Sequence, residues 1–189
     1  MASATEIANL ALTKLGDEGE IIELTEDTRA ARAVNSCFAA MRNAVLRDHP
    51  WNFATKRTQL AASTDVPAWG GYTAFPLPSD FLRLLEIEHD PEWQLEGQFI
   101  LVRQAGPLNL RYTARIEDTG LFDALFVEAL ACRIAVQVAT RITGNASAQD
   151  MAEGLYRAAL AAAKRVDGQD NPPDELPDYS WFASRELDG

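Results

Sequence analysis

His49-Pro50-Trp51-Asn52-Phe53-Ala54 is the stretch on which the reading of the fold turns. A proline removes a backbone donor and pushes the residue before it out of the helical region. The helical pattern that precedes His49 must therefore stop there, and three aromatic rings fall at the stop. A second proline-marked stretch follows, Phe75-Pro76-Leu77-Pro78-Ser79-Asp80-Phe81-Leu82-Arg83. The two stretches read as stiff joints where helix gives way to sheet.

Upstream of the first joint, Ala30, Val34, Cys37, Phe38, Met41 and Val45 form one apolar stripe at helical spacing, with Arg32, Ser36, Asn43 and Arg47 opposite. Thr25 is the expected N-cap, with Glu26 and Asp27 in the first turn. A shorter helix precedes it. Ser3-Ala4-Thr5-Glu6 is a capping box, Ile7, Leu10, Ala11 and Leu15 follow, and Gly16 closes. The acidic loop 17–24 is expected to tuck Ile21 and Ile22 against the core.

Downstream, 51–60 is mixed and 61–71 reads as loop. Strands are expected at 83–89, 97–103 and 108–115, forming one small antiparallel sheet. Near Asp123 the period returns to helical. Phe122, Leu125, Phe126, Ala129, Leu130, Ile134, Val136 and Val138 leave only a narrow polar stripe, so this is the expected central helix. Gly144-Asn145 closes it, and Ser147-Ala148-Gln149-Asp150 reads as a second capping box. Met151, Leu155, Ala158, Ala159, Ala162 and Val166 are the expected buried stripe of the last helix. After Asp167-Gly168 the run Asn171-Pro172-Pro173-Asp174-Glu175-Leu176-Pro177-Asp178 cannot continue a helix, and it ends in Tyr179-Ser180-Trp181-Phe182.

The expected fold is therefore α+β and mainly helical. It is an antiparallel helix bundle (1–50 and 118–168) with a small β-rich insertion (51–117) and an extended C-terminal arm (169–189). At 189 residues and 47% hydrophobic the chain is globular. No apolar run is long enough to span a bilayer, and the N-terminus lacks the layout of a secretory signal. Cytosol, or a particle assembled there, is the expected compartment.

The formal charge of −11 is uneven: −6 over 1–27, +5 over 28–57, −4 over 58–166 and −6 over 167–189. That balance argues against general nucleic-acid binding, which needs clustered positive charge. The basic second helix reads as a solvated face or as a surface for an acidic end of this chain or a neighbour.

Catalytic patterns are absent: no phosphate loop, no dinucleotide fingerprint, no nucleophile elbow and no zinc histidine pair. Cys37 and Cys132 make no disulfide framework and read as small buried hydrophobes. Glu86, Glu88 and Asp90 alternate onto one strand face, away from His89. They could gather a hard cation, but a solvated strand face explains them at no cost and is the expected reading. No catalytic, cofactor or metal residue is assigned. Among 28 acids a glycan-cleaving pair would arise by chance alone, so cell-wall glycan hydrolysis stays open as the alternative function. His49 reads as a helix-end cap rather than a pH switch, and Trp51 and Phe53 as core. Pro172, Pro173, Tyr179, Trp181, Phe182 and Arg185 are the candidate partner-binding residues, because large aromatics on an arm without a core need a surface to bury against.

In order and spacing, Ala8-Asn9-Leu10-Ala11-Leu12-Thr13-Lys14-Leu15-Gly16, Val45 to Ala54, Leu77 to Leu82, Leu110-Arg111-Tyr112 and Phe126 to Ala131 are landmarks. With them the chain resembles the head-to-tail adaptors of short-tailed bacteriophages, the tail tubular protein A family. The resemblance implies a structural virion protein of the tail, assembled in the host cytoplasm, without cofactor or membrane partner. It implies a ring of identical subunits, dodecameric in that family, between the portal protein and the distal tail or nozzle protein. Genome DNA would pass through without sequence-specific binding.

Overall fold

The computed structural model describes residues 2–17, 19–65 and 67–170. Four helices carry the architecture: α1 (Ala4–Thr13), α2 (Arg29–Asp48), α3 (Ala124–Thr143) and α4 (Ala146–Asp170). Six strands lie between α2 and α3: β1 (Thr55–Leu60), β2 (Thr73–Pro76), β3 (Phe81–Ile87), β4 (Trp93–Glu96), β5 (Phe99–Val102) and β6 (Leu108–Ala114). The fold is α+β, with helices predominating.

α3 is the hub, packing against α1, α2 and α4. Its buried residues, among them Phe126, Ala129, Leu130, Ala131, Ile134 and Ala135, lie around most of its circumference. That is why it reads as apolar nearly all round. Asp123 caps it, accepting from the backbone N–H of Leu125 (2.8 Å) and Phe126 (3.3 Å). Gly144 ends it in the left-handed region (φ 69°), where a side chain would strain the backbone.

The capping box of α1 is present in full: Ser3 Oγ accepts from Glu6 N–H, and the Glu6 carboxylate accepts from Ser3 N–H. Two expected caps move. Thr28, not Thr25, caps α2 by accepting from Ala31 N–H. Glu26 instead folds back, its carboxylate accepting from Ile22 N–H and from the Thr28 hydroxyl. Before α4 the polar role falls to Asn145, whose side chain accepts from Ser147 N–H (3.0 Å), and the helix is already running at Ala146. α4 also continues past Gly168 to Asp170.

The acidic loop buries only one of its two isoleucines. Asn9 pins Ile21 by accepting from its N–H (2.8 Å) and donating to its C=O (2.9 Å). Ile21 is 2% exposed, and its neighbour Ile22, facing the other way, is 83% exposed.

The stripe expected on α4 is corrected. Ala152 is fully buried, and the inward face continues through Tyr156, Leu160 and Ala163. Met151 and Leu155 are exposed. The apolar sector of α4 is wider than the surface that α3 offers. The small residues Ala152 and Ala163 win the contact because they permit close approach of the two helices.

The single expected sheet is two. β6 is central to the first, order β1-β6-β3, pairing Arg57↔Arg111 on one side and Glu86↔Arg111 on the other. The second has order β2-β5-β4. Gly97 (φ 58°) makes the two-residue β4–β5 turn, so the segment expected as one strand from 97 begins at Phe99. β2 ends at Pro76, Leu77 N–H still donates to Gln98 C=O (2.8 Å), and Phe81 N–H returns to Pro78 C=O (3.0 Å) before β3 starts. The double-proline stretch is thus the passage from one sheet to the other. A single hydrophobic cluster joins Val34, Val45, Trp51, Leu110, Tyr112 and Phe126.

Candidate partner-binding surface

The joint after α2 is a clamp. Trp51 is fully buried, its indole N–H donating to Val45 C=O (2.9 Å), and its ring meets Phe126 edge-on at 5.1 Å. Phe53 joins the same aromatic group with Phe122 and Phe126. Both rings therefore belong to the core.

His49 does not cap backbone. Its Nε2 pairs with Asp167 Oδ2 at 3.0 Å, and its ring stands edge-on to Trp51 at 4.8 Å. Asp167 Oδ1 accepts from Asn52 N–H (3.0 Å), and Asp167 C=O accepts from the Asn52 amide (2.7 Å). One turn earlier, Lys164 pairs with Asp48 at 3.0 Å. The last turns of α4 are therefore tied to the helix–sheet joint. The six arm residues Pro172, Pro173, Tyr179, Trp181, Phe182 and Arg185 lie outside the described residues, and this clamp is the root from which they continue.

Arg47, in the last turn of α2, also lines a cleft of about 500 Å³ together with Leu77, Phe81, Leu82, Leu84, Trp93, Leu95 and Arg83. Trp93 and Leu95 come from β4, an edge strand exposed along its whole length. Arg47 donates to Leu82 C=O and Arg83 donates to Arg47 C=O. Neither guanidinium meets a carboxylate among the described residues. Sequence reasoning passed over this cleft because its two walls come from different sheets. The Trp93-Gln94-Leu95 alternation was the available signal.

The basic face of α2 is dispersed. Arg29 donates to Arg141 C=O, Arg32 pairs with Asp27, and Arg42 is nearly buried against Glu117 (3.5 Å) and Asn43. Burial pulls the Arg42 guanidinium down from its ordinary value, and Glu117 opposes that shift.

The candidate cation cluster is consumed by the sheet. Glu86 pairs with Arg111 at 2.9 Å, and Glu88 accepts from the Asn109 amide at 2.6 Å. β3 ends at Ile87, and His89 and Asp90 take positive φ (67° and 43°), which breaks the expected alternation. His89 therefore lines the same cleft as Glu86 and Glu88 instead of pointing away. No group of three or more histidine, cysteine or acidic side chains suited to a metal occurs among the described residues. Cys37 and Cys132 are free, and burial pushes both thiols up.

Asp80, from the second proline stretch, ties three strands. It accepts from the Tyr112 hydroxyl (2.9 Å) and from Lys56 Nζ (2.7 Å). Burial alone would raise its carboxyl, but these bonds outweigh burial and hold it below the usual carboxylate range. Burial and the Asp80 charge push the Tyr112 phenol up to about 12.

Comparison with protein-family models and with curated proteins finds no match to this chain.

Proposed function

We propose that the chain is a structural subunit of the head–tail adaptor ring of a short-tailed phage. It would sit between the portal and the distal tail, with genome DNA passing through. The landmark residues support the reading by their order, and one structural observation carries it. Large apolar side chains are left uncovered on two separate elements, Trp93 and Leu95 on β4 and Met151 and Leu155 on α4. Unlike patches that meet between identical copies repeat head to tail, and such contacts close into a ring when the rotation permits. The acidic surplus suits a passage for DNA, since like charge disfavours gripping it. Residues 171–189 would reach a neighbouring subunit or the portal.

The test is to mix purified protein with purified portal rings and measure particle mass and images. The expected result is a ring of copies on one face of the portal, lost or weakened when residues 171–189 are deleted. A protein that stays solitary beside the portal and releases reducing sugar from peptidoglycan would replace this reading with glycan hydrolysis.

A further inference from the structure

The cleft between the two sheets asks for a ligand that is both apolar and acidic. Its walls are leucine and aromatic side chains, and among the described residues its two guanidinium groups bond only to backbone carbonyls. Arginine in such a position retains donors for a carboxylate.

The root of the C-terminal segment lies next to it. Asp167 is tied to His49 and Asn52, and Arg47 is two residues before His49 on α2. Arg47 of the cleft and His49 of the clamp are thus two residues apart in the chain, no more than about 7 Å of extended backbone. From Asp170 to Trp181 is eleven residues, which extended would cover up to about 36 Å. The segment has reach to spare. It also carries the matching chemistry: Asp178, then Tyr179, Trp181 and Phe182, then Glu186. Two aromatic side chains seated there would bury about 150–250 Å² each.

We infer that this cleft, lined by Trp93, Leu95, Leu82 and Leu84 with Arg47 and Arg83, is the seat of the chain's own residues 178–186 in the unassembled protein. The seated segment covers apolar surface that would otherwise meet other molecules. In a ring, the segment would leave the cleft and free Trp93 and Leu95 to meet the α4 patch of a neighbouring copy, a consequence that rests on the adaptor reading. The seat itself concerns the free chain and does not depend on a portal.

The experiment uses the full chain labelled with fluorotryptophan, observed by fluorine NMR without portal. Trp51, Trp69, Trp93 and Trp181 give four reporters. The expected Trp181 resonance lies away from its position in a synthetic peptide of residues 171–189. Shortening the chain to residues 1–173 shifts the Trp93 resonance. Arg83→Glu and Leu95→Gln, both at exposed positions, return Trp181 to the peptide position while the buried Trp51 signal stays fixed and reports an intact fold. The inference is overturned if Trp181 in the full chain coincides with the peptide, or if shortening leaves Trp93 unmoved. It is equally overturned if the shifts grow with protein concentration, because the occupant is then another copy's segment. A chain that fails on portal rings yet passes here refutes the adaptor reading alone.

Discussion

Replacing Asp167 with alanine should loosen the end of α4 measurably, and the structure sets the size of the effect. The carboxylate holds two donors, His49 Nε2 and Asn52 N–H, each at 3.0 Å. A hydrogen bond to a charged group contributes about 1.5–3 kcal/mol. The two side chains of the His49 pair are 19% and 12% exposed, so that contact keeps most of its value. Asn52 is exposed and recovers water, so its amide loses little. Against this, a negative side chain in the last turn of a helix is disfavoured by about 0.3–1 kcal/mol, which the alanine relieves. The net loss is about 1.5–2 kcal/mol. For a chain of this length each kcal/mol lowers Tm by about 2–4 °C, which gives a fall of about 3–8 °C.

Calorimetry of the wild type, Asp167→Ala, His49→Ala and the double variant closes a mutant cycle. A coupling of about 1 kcal/mol is expected, since contacting residues interact by about 0.5–3 kcal/mol. Hydrogen exchange should quicken at the Asn52 amide and in the last turn of α4, and remain slow in α3. Additive single effects, or a Tm lowered by less than about 1 °C, would refute the clamp as an energetic feature.

The Asp80–Tyr112 contact should give stability a dependence on both acid and base. The Asp80 carboxyl is lowered on folding, so its contribution is full above the ordinary carboxylate range and is lost as pH falls through the folded value. The Tyr112 phenol is raised to about 12, so its contribution is full below the free phenol value near 10 and is lost as pH rises through 12. Urea titrations across pH should show both limbs, and Tyr112→Phe should shrink the alkaline one, leaving the part due to Tyr156, whose phenol burial also raises, while costing about 1 kcal/mol at neutral pH. On α4, Leu155→Gln should change stability by less than about 0.5 kcal/mol. Ala152→Leu should cost about 1–3 kcal/mol by overpacking the contact with α3. Equal losses from these two variants would favour the stripe read from sequence over the one the fold buries.

The helices were legible because their signals are local. Ser3-x-x-Glu6 closes its own reciprocal bonds, Asp123 bonds the next turn, and Gly144 meets a backbone requirement that few other residues satisfy. Pro50 stops α2 by a steric rule that needs no tertiary context. Errors arose where two local solutions competed. Thr25 and Thr28 are both good caps, and the Glu26 side chain decides between them by folding back on Ile22 N–H and the Thr28 hydroxyl. On α4 the apolar sector was visible, but which part faces α3 depends on how closely two helices approach, and spacing along one helix does not carry that. The second sheet was hidden in short strands of four residues, and β4 is exposed along its whole length, so its Trp93-Gln94-Leu95 alternation marks no core face.

The same distinction separates the core of the joint from the surface beside it. Trp51, Phe53, His49 and Asn52 attract attention in the sequence, yet each is consumed by the fold: rings in the aromatic group, Nε2 and amide on Asp167. A residue so consumed has little left to offer a partner. Arg47, Arg83, Trp93 and Leu95 attract less attention singly, and among the described residues they keep charge that meets no carboxylate and apolar area that nothing covers. Recognition depends on what folding leaves unsatisfied. The joint therefore acts by position: it ties the last turns of α4 to the end of α2, where Arg47 helps to line the cleft that holds Trp93 and Leu95.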